Sequence, residues 1–180
     1  MKILKRILLV IVTIIVIALI TALFIKKDYT VEREITINKP AQEVFAYISQ
    51  LKNQDAYSVW NKLDPNMKKN YSGTDGTVGF IMAWDSDTKE AGKGEQEILK
   101  ITPGERMDTK LRFKAPMEGE ADAYMITEPL SENQTTVKWG FSSEIKYPFN
   151  LFLLFMDIKG MIGKDLQTGL DNLKAVLEKQ

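Results

Sequence analysis

Residues 148–180, PFNLFLLFMDIKGMIGKDLQTGLDNLKAVLEKQ, decide the fold. Within them Ile158, Ile162, Leu166, Leu170, Leu173 and Leu177 recur at steps of three or four. Successive helical residues rotate by about 100°, so this spacing collects them on one stripe of an α-helix. Lys164, Asp165, Asp171, Lys174 and Glu178 fall mostly off that stripe. Read as one helix of about thirty residues, the segment is ~45 Å long at ~1.5 Å per residue. It cannot hide so long an apolar stripe by itself, and something wide has to cover it.

The middle of the chain reads as that cover. Residues 29–37 (YTVEREITI) set Val31, Arg33, Ile35 and Ile37 against Glu32, Glu34 and Thr36. Period two with β-branched residues predicts a strand, with Arg33 interrupting its apolar face. Asn38-Lys39-Pro40 then opens a helix, because a proline in the first turn gives up no hydrogen bond. Val44, Phe45 and Ile48 are its inner face, and a second short helix is predicted over 54–59. Further strands are predicted over 67–71, 78–84, 94–101, 106–113, 120–128 and 135–141. Short turns between them, such as Ser72-Gly73-Thr74-Asp75-Gly76 and Thr102-Pro103-Gly104, favour antiparallel pairing. One face of each strand is apolar and the other charged, as in a sheet wetted on one side. The fold class follows: α+β, a curved antiparallel sheet of about six to seven strands gripping a long C-terminal helix.

The N-terminus is a separate unit. Residues 7–25 carry no charge and only Thr13 and Thr21 are polar; Lys2, Lys5 and Arg6 precede them and Lys26 and Lys27 follow. As a helix they span ~28 Å, close to a bilayer core of ~30 Å. A cleaved signal peptide has a shorter apolar core and small residues at the cleavage site, whereas bulky Ile20 stands two positions before Ala22. Residues 1–28 are therefore read as an uncleaved, single-pass membrane anchor and residues 29–180 as one domain. Basic residues on both flanks nearly cancel the charge signal for orientation. A single anchor at the extreme N-terminus usually keeps that terminus in the cytoplasm, which favours a domain outside it and leaves sidedness open.

Composition narrows the chemistry. The 24 basic and 24 acidic residues balance, so no basic field invites nucleic acid. There is no Cys, which removes thiolate chemistry, and no His, which removes the commonest general base and zinc ligand. Asp85-Ser86-Asp87 reads as a turn, since the rest of a calcium loop is missing. No cofactor and no metal is implied.

The order of elements resembles the START-like, birch-pollen-allergen-like superfamily, also called SRPBCC, and within it the polyketide cyclase/dehydrase-type group. The resemblance rests on Ile35-Thr36-Ile37-Asn38-Lys39-Pro40-Ala41-Gln42-Glu43-Val44-Phe45, on Tyr57-Ser58-Val59-Trp60 with Asp64-Pro65, and on Tyr71-Ser72-Gly73 with Gly76-Thr77-Val78-Gly79 and Trp84. Gly92-Lys93-Gly94 with Ile98, Thr136-Val137-Lys138-Trp139, and Gly169-Leu170 with Leu173-Lys174 extend it to residues 29–180. Family members commonly enclose a hydrophobic cavity between the sheet and the last helix. The resemblance therefore implies an apolar or amphipathic small molecule or lipid as partner.

Met82, Trp84, Met107, Phe113, Tyr124, Met125, Trp139, Phe141, Met156 and Met161 are the cavity candidates. Methionine and aromatic side chains suit an adaptable apolar pocket, although each also suits an ordinary core. Gly160 and Gly163 inside the last helix point to a kink or a close approach. Tyr57, Tyr71, Thr109, Asp122 and Tyr124 are the polar candidates, and no pair of them has a spacing that demands catalysis. Arg106, Lys110, Arg112 and Lys138 read as the solvated outer face of the sheet. Membrane-anchored, non-catalytic ligand binding is the leading reading. A cyclase or dehydratase-like enzyme, and a protein-interaction module using residues 149–155, are its rivals.

Overall fold

The computed structural model describes residues 2–179. Met1 and Gln180, which the sequence reading included in the anchor and the last helix, lie outside the described residues. Helix α1 (Lys2–Phe24) is followed by β1 (Asp28–Ile37), α2 (Ala41–Ile48) and α3 (Gln54–Tyr57). Six strands come next: β2 (Lys68–Ser72), β3 (Ile81–Asp85), β4 (Lys93–Thr102), β5 (Arg106–Ala115), β6 (Gly119–Ser131) and β7 (Gln134–Glu144). A six-residue 3₁₀ segment, Phe149–Leu154, leads into α4 (Ile158–Leu177). The seven strands form one antiparallel sheet in the order β1-β7-β6-β5-β4-β3-β2. Only β1 breaks the meander; it crosses over to pair with β7.

The last helix is shorter than its sequence suggests. It spans 20 residues, ~30 Å at ~1.5 Å per residue. Asp157 sets the start, because its carboxylate accepts from the Gly160 N–H at 2.9 Å and satisfies a donor with no partner inside the helix. Upstream, Phe149–Leu154 turns more tightly as 3₁₀ and does not extend the helix.

Two strands and one helix differ most from their expected bounds. β3 begins at Ile81, after Gly76 and Gly79 take φ of +77° and +86° and the Phe80 N–H closes a turn on Thr77. β6 runs past Pro129 to Ser131, with its register shifting where proline supplies no N–H. The second short helix is a single turn, and Trp60–Lys62 continues it as 3₁₀.

Two buried clusters make the core. The larger joins β1, β7 and Met125 to α2, Tyr57 and Leu166, Leu170, Leu173 and Leu177 of α4. The smaller gathers Leu51, Phe80, Met82, Ile98 and Met107. Helix α4 packs chiefly over β1 and β7 and against α3. The glycines in α4 mark close approaches: a side chain at Gly163 would strike the Arg33 guanidinium, and one at Gly169 would strike the Trp139 ring.

Candidate functional site

The sheet's register sorts the candidates into cross-strand rows. Arg33, Trp139, Met125 and Met107 lie opposite one another across β1, β7, β6 and β5. Above this row the space is filled. Tyr57 and Trp60 meet Trp139 edge to face at 5.7 and 5.9 Å, and the Tyr57 hydroxyl donates to the Met125 sulfur at 3.6 Å. Met107, Met125 and Trp139 are buried, as are the α4 leucines over the same end of the sheet. The opening expected between sheet and last helix is therefore closed here by side chains of α3 and β7.

The next rows are open. Leu111 lies between Gln96 and Ala121, and Phe113 between Gly94 and Gly119. Trp84 lies across Gly94, where a Cβ would collide with the indole, and meets Phe113 edge to face at 6.1 Å. Trp84, Leu111, Phe113 and Phe141 are only half-buried. They share the helix-facing side with the small Ala121 and Ala123, beyond the part of the sheet that α4 covers. The result is a shallow apolar trough. Met82 is buried at its far edge, one strand from the polar pair Gln96–Thr109. Gln96 Nε2 donates to Thr109 Oγ1 at 3.0 Å, and that hydroxyl donates to the Ala123 carbonyl at 3.3 Å.

A second opening lies where α1 meets the domain. A groove of about 530 Å³ runs between Ile25, Lys26, Asp28 and Tyr29 on one side and residues 153–159 on the other. Tyr29 reaches from this groove to the trough, its ring 6.3 Å from Phe141. Burial raises the Tyr29 phenol above its ordinary pKa, so it stays neutral here. The junction is held by Asn150, which is fully buried and donates from its amide to the carbonyls of Ala22 at 2.7 Å and Ile25 at 3.0 Å. Carbonyls at a helix C-terminus have no partner inside the helix, so Asn150 supplies one from the domain. Met156 and Met161, expected in the pocket, are 48% and 60% exposed beside this groove. Met156 precedes α4, which begins at Ile158, and Met161 stands one residue before Ile162, about 100° round the helix from the sheet-facing stripe.

Tyr124 and Asp122 stand on the opposite, convex face. Strand residues alternate sides, so Tyr124 cannot share a face with the adjacent Met125. Its ring lies over Gly140, its hydroxyl donates to Glu32 at 2.5 Å, and the Arg106 guanidinium sits 4.3 Å from its ring centre. Partial desolvation, then the hydrogen bond to Glu32, pushes its pKa up to about 12. Asp122 is exposed and paired with Lys110 at 2.5 Å. Arg106, Lys110, Arg112 and Lys138 form ion pairs across this convex face, as their pattern predicted. Tyr57 is core, its pKa raised by burial, and Tyr71 is an exposed ring stacked on Phe80. Among the described residues no group of three or more carboxylates is placed to hold a metal ion.

A family model for polyketide cyclase / dehydrase and lipid transport matches residues 28–178. The chain belongs to this family. Solved structures agree on the family's helix-grip fold. Norcoclaurine synthase from Thalictrum flavum, in complex with dopamine and hydroxybenzaldehyde, superposes with a TM-score of 0.62 at 11% identity, covering 89% of this chain and 92% of that one. Ara h 8.0201 gives 0.56 at 12%, covering 85% and 99%. A protein from Chromobacterium violaceum gives 0.56 at 19%, covering 83% and 96%. At these identities the likeness concerns the fold. No curated protein matches the chain.

The sequence reading missed Leu111, Gln96, Asn150 and the groove wall from Ile25 to Tyr29. Leu111 was legible as a member of the alternation Met107, Thr109, Leu111, Phe113. Asn150 was legible as the one polar residue in residues 149–156.

Proposed function

We propose that this chain is a membrane-anchored binder of a hydrophobic or amphipathic molecule of the lipid class. The observation that carries this reading is the trough of Trp84, Leu111, Phe113 and Phe141, apolar side chains left half-exposed on the helix-facing side of the sheet. Apolar concavities with a few polar groups are the usual form of small-molecule sites. Gln96 and Thr109 are the polar groups nearest the trough, and Tyr29 joins it to the groove at the anchor. Membership in a family described by lipid transport supports the same ligand class.

The anchoring half of the reading is supported by α1. It is the one described helix long and apolar enough to cross a membrane, at 23 residues and ~34 Å. Thr13 and Thr21 return their hydroxyls to the carbonyls four residues back, at 2.9 and 2.8 Å, so neither is left unsatisfied in hydrocarbon. In this reading residues 29–180 form one domain on the extracytoplasmic side.

Native mass spectrometry of the full chain released from lipid nanodiscs tests the ligand. The expected result is an adduct of lipid mass that is lost in Ala121→Trp, which fills the trough. A bare protein mass in both, under conditions that retain lipid on a known binder, overturns the reading.

A further inference from the structure

Resting on the anchored reading above, we propose that residues 149–156 together with Met161 form a second membrane contact, docked on the same bilayer that holds α1. Phe149, Phe152, Leu154, Phe155, Met156 and Met161 are 61%, 51%, 57%, 78%, 48% and 60% exposed. Single exposed apolar side chains are ordinary, but a group this dense marks a surface that meets something. The phenyl rings of Phe149 and Phe152 stack at 6.3 Å, so these two side chains present one surface.

The architecture names the occupant. Asn150, inside this segment, holds the last carbonyls of α1. The Ile145 N–H adds a backbone bond to the Lys27 carbonyl at 2.8 Å. The patch is thereby fixed where α1 leaves the bilayer and cannot swing away from it. Leu23 and Phe24, 64% and 85% exposed, continue the apolar surface from the helix onto the patch. Residues 145–156 contain no acidic side chain, and Asp157 is engaged in capping α4. Asp28 and Glu144, opposite each other at the end of the sheet, are the nearby acids; Lys26, Lys27, Lys146 and Lys159 flank the patch as cations suited to lipid phosphates. An apolar surface with a basic border is the form that lies ~5–10 Å deep at the headgroup boundary. The groove beside Tyr29 then opens at the lipid surface, and the ligand is a bilayer amphiphile that enters without crossing water.

The chain has no Cys, so single labelling sites can be introduced cleanly. Full-length Phe155→Cys, Asp122→Cys and Ile15→Cys are each labelled with a polarity-sensitive fluorophore in phosphatidylcholine/phosphatidylglycerol vesicles. Lipid-borne spin quenchers and aqueous iodide are then compared. The expected result is that the labels at 155 and 15 lose most of their emission to lipid quenchers, whereas the label at 122 responds to iodide alone. If the label at 15 is lipid-quenched but that at 155 responds only to iodide, anchoring stands and the docking surface is overturned. If 155 is shielded from both, a second copy covers it, and the proposal again fails. If 15 is not reached by lipid quenchers, the anchored reading fails and takes this proposal with it.

Discussion

Residues 149–161 and residues 166–177 both carry large apolar side chains and lie four residues apart in the chain, yet most of those side chains have opposite surroundings. Leu166, Leu170, Leu173 and Leu177 are at most 1% exposed, whereas Phe149, Phe155 and Met161 are at least 60% exposed. The difference lies in what faces them. The later segment meets β1, β7 and α3, with Trp139 seated against Gly169; the earlier one meets the end of α1, and Leu153 and Ile158 reach the edge of the core while Phe149, Phe152, Leu154, Phe155, Met156 and Met161 stay exposed. Apolar content says that a segment needs an apolar neighbour. It does not say whether that neighbour is the protein's own core or something outside the chain.

The contrast can be broken most severely at Leu170. Leu170→Ala leaves a void under α4 and is expected to cost ~2–5 kcal/mol, read as a lower thermal midpoint of the full chain in mild detergent. A loss below ~1 kcal/mol would mean that the layer is not closed. Gly169→Leu comes next: the new side chain meets the Trp139 ring, and ~1–3 kcal/mol is expected in the same assay. Asn150→Ala leaves the Ala22 and Ile25 carbonyls at the end of α1 without their donor, at ~1–3 kcal/mol of local stability. That loss shows as faster proteolysis between α1 and β1 with the domain itself intact. At the small end, Phe155→Ser is expected to shift the midpoint by no more than ~0.5 kcal/mol, because the ring supports nothing inside the fold. A large loss there would erase the comparison.

Alkaline pH sharpens it further. Burial raises the pKa of Tyr57 above the ordinary 10.0, and that of Tyr124 is pushed to about 12. A raised folded pKa favours the neutral phenol, so its contribution is complete below pH 10 and disappears as pH climbs toward and past 12. The wild type should lose stability over that window. Tyr57→Phe and Tyr124→Phe should lose less, and equal pH slopes for all three chains would refute the assignment.

Most of the architecture is legible in the residues. Alternation in residues 106–113 and 135–141 places β5 and β7 with the correct faces, and the spacing from Ile158 to Leu177 marks α4. The start of α4 is not legible from periodicity, because the helix begins where one carboxylate, Asp157, finds the Gly160 N–H. The candidate site is legible in part. Alternation alone excludes Tyr124 from the face of Met125. That Trp139 is covered while Phe113 is half-open depends on where α3 and α4 lie across the sheet, a long-range fact that no local pattern carries. Asn150 acts on carbonyls more than a hundred residues away, which only the folded chain reveals.

The most direct measurement is photo-crosslinking of the full chain in nanodiscs with a lipid that carries a photoactivatable acyl chain, followed by peptide mass spectrometry. The account predicts adducts on Trp84, Leu111 or Phe113 in addition to those on α1. Labelling confined to α1, with the trough residues unmodified, would contradict it.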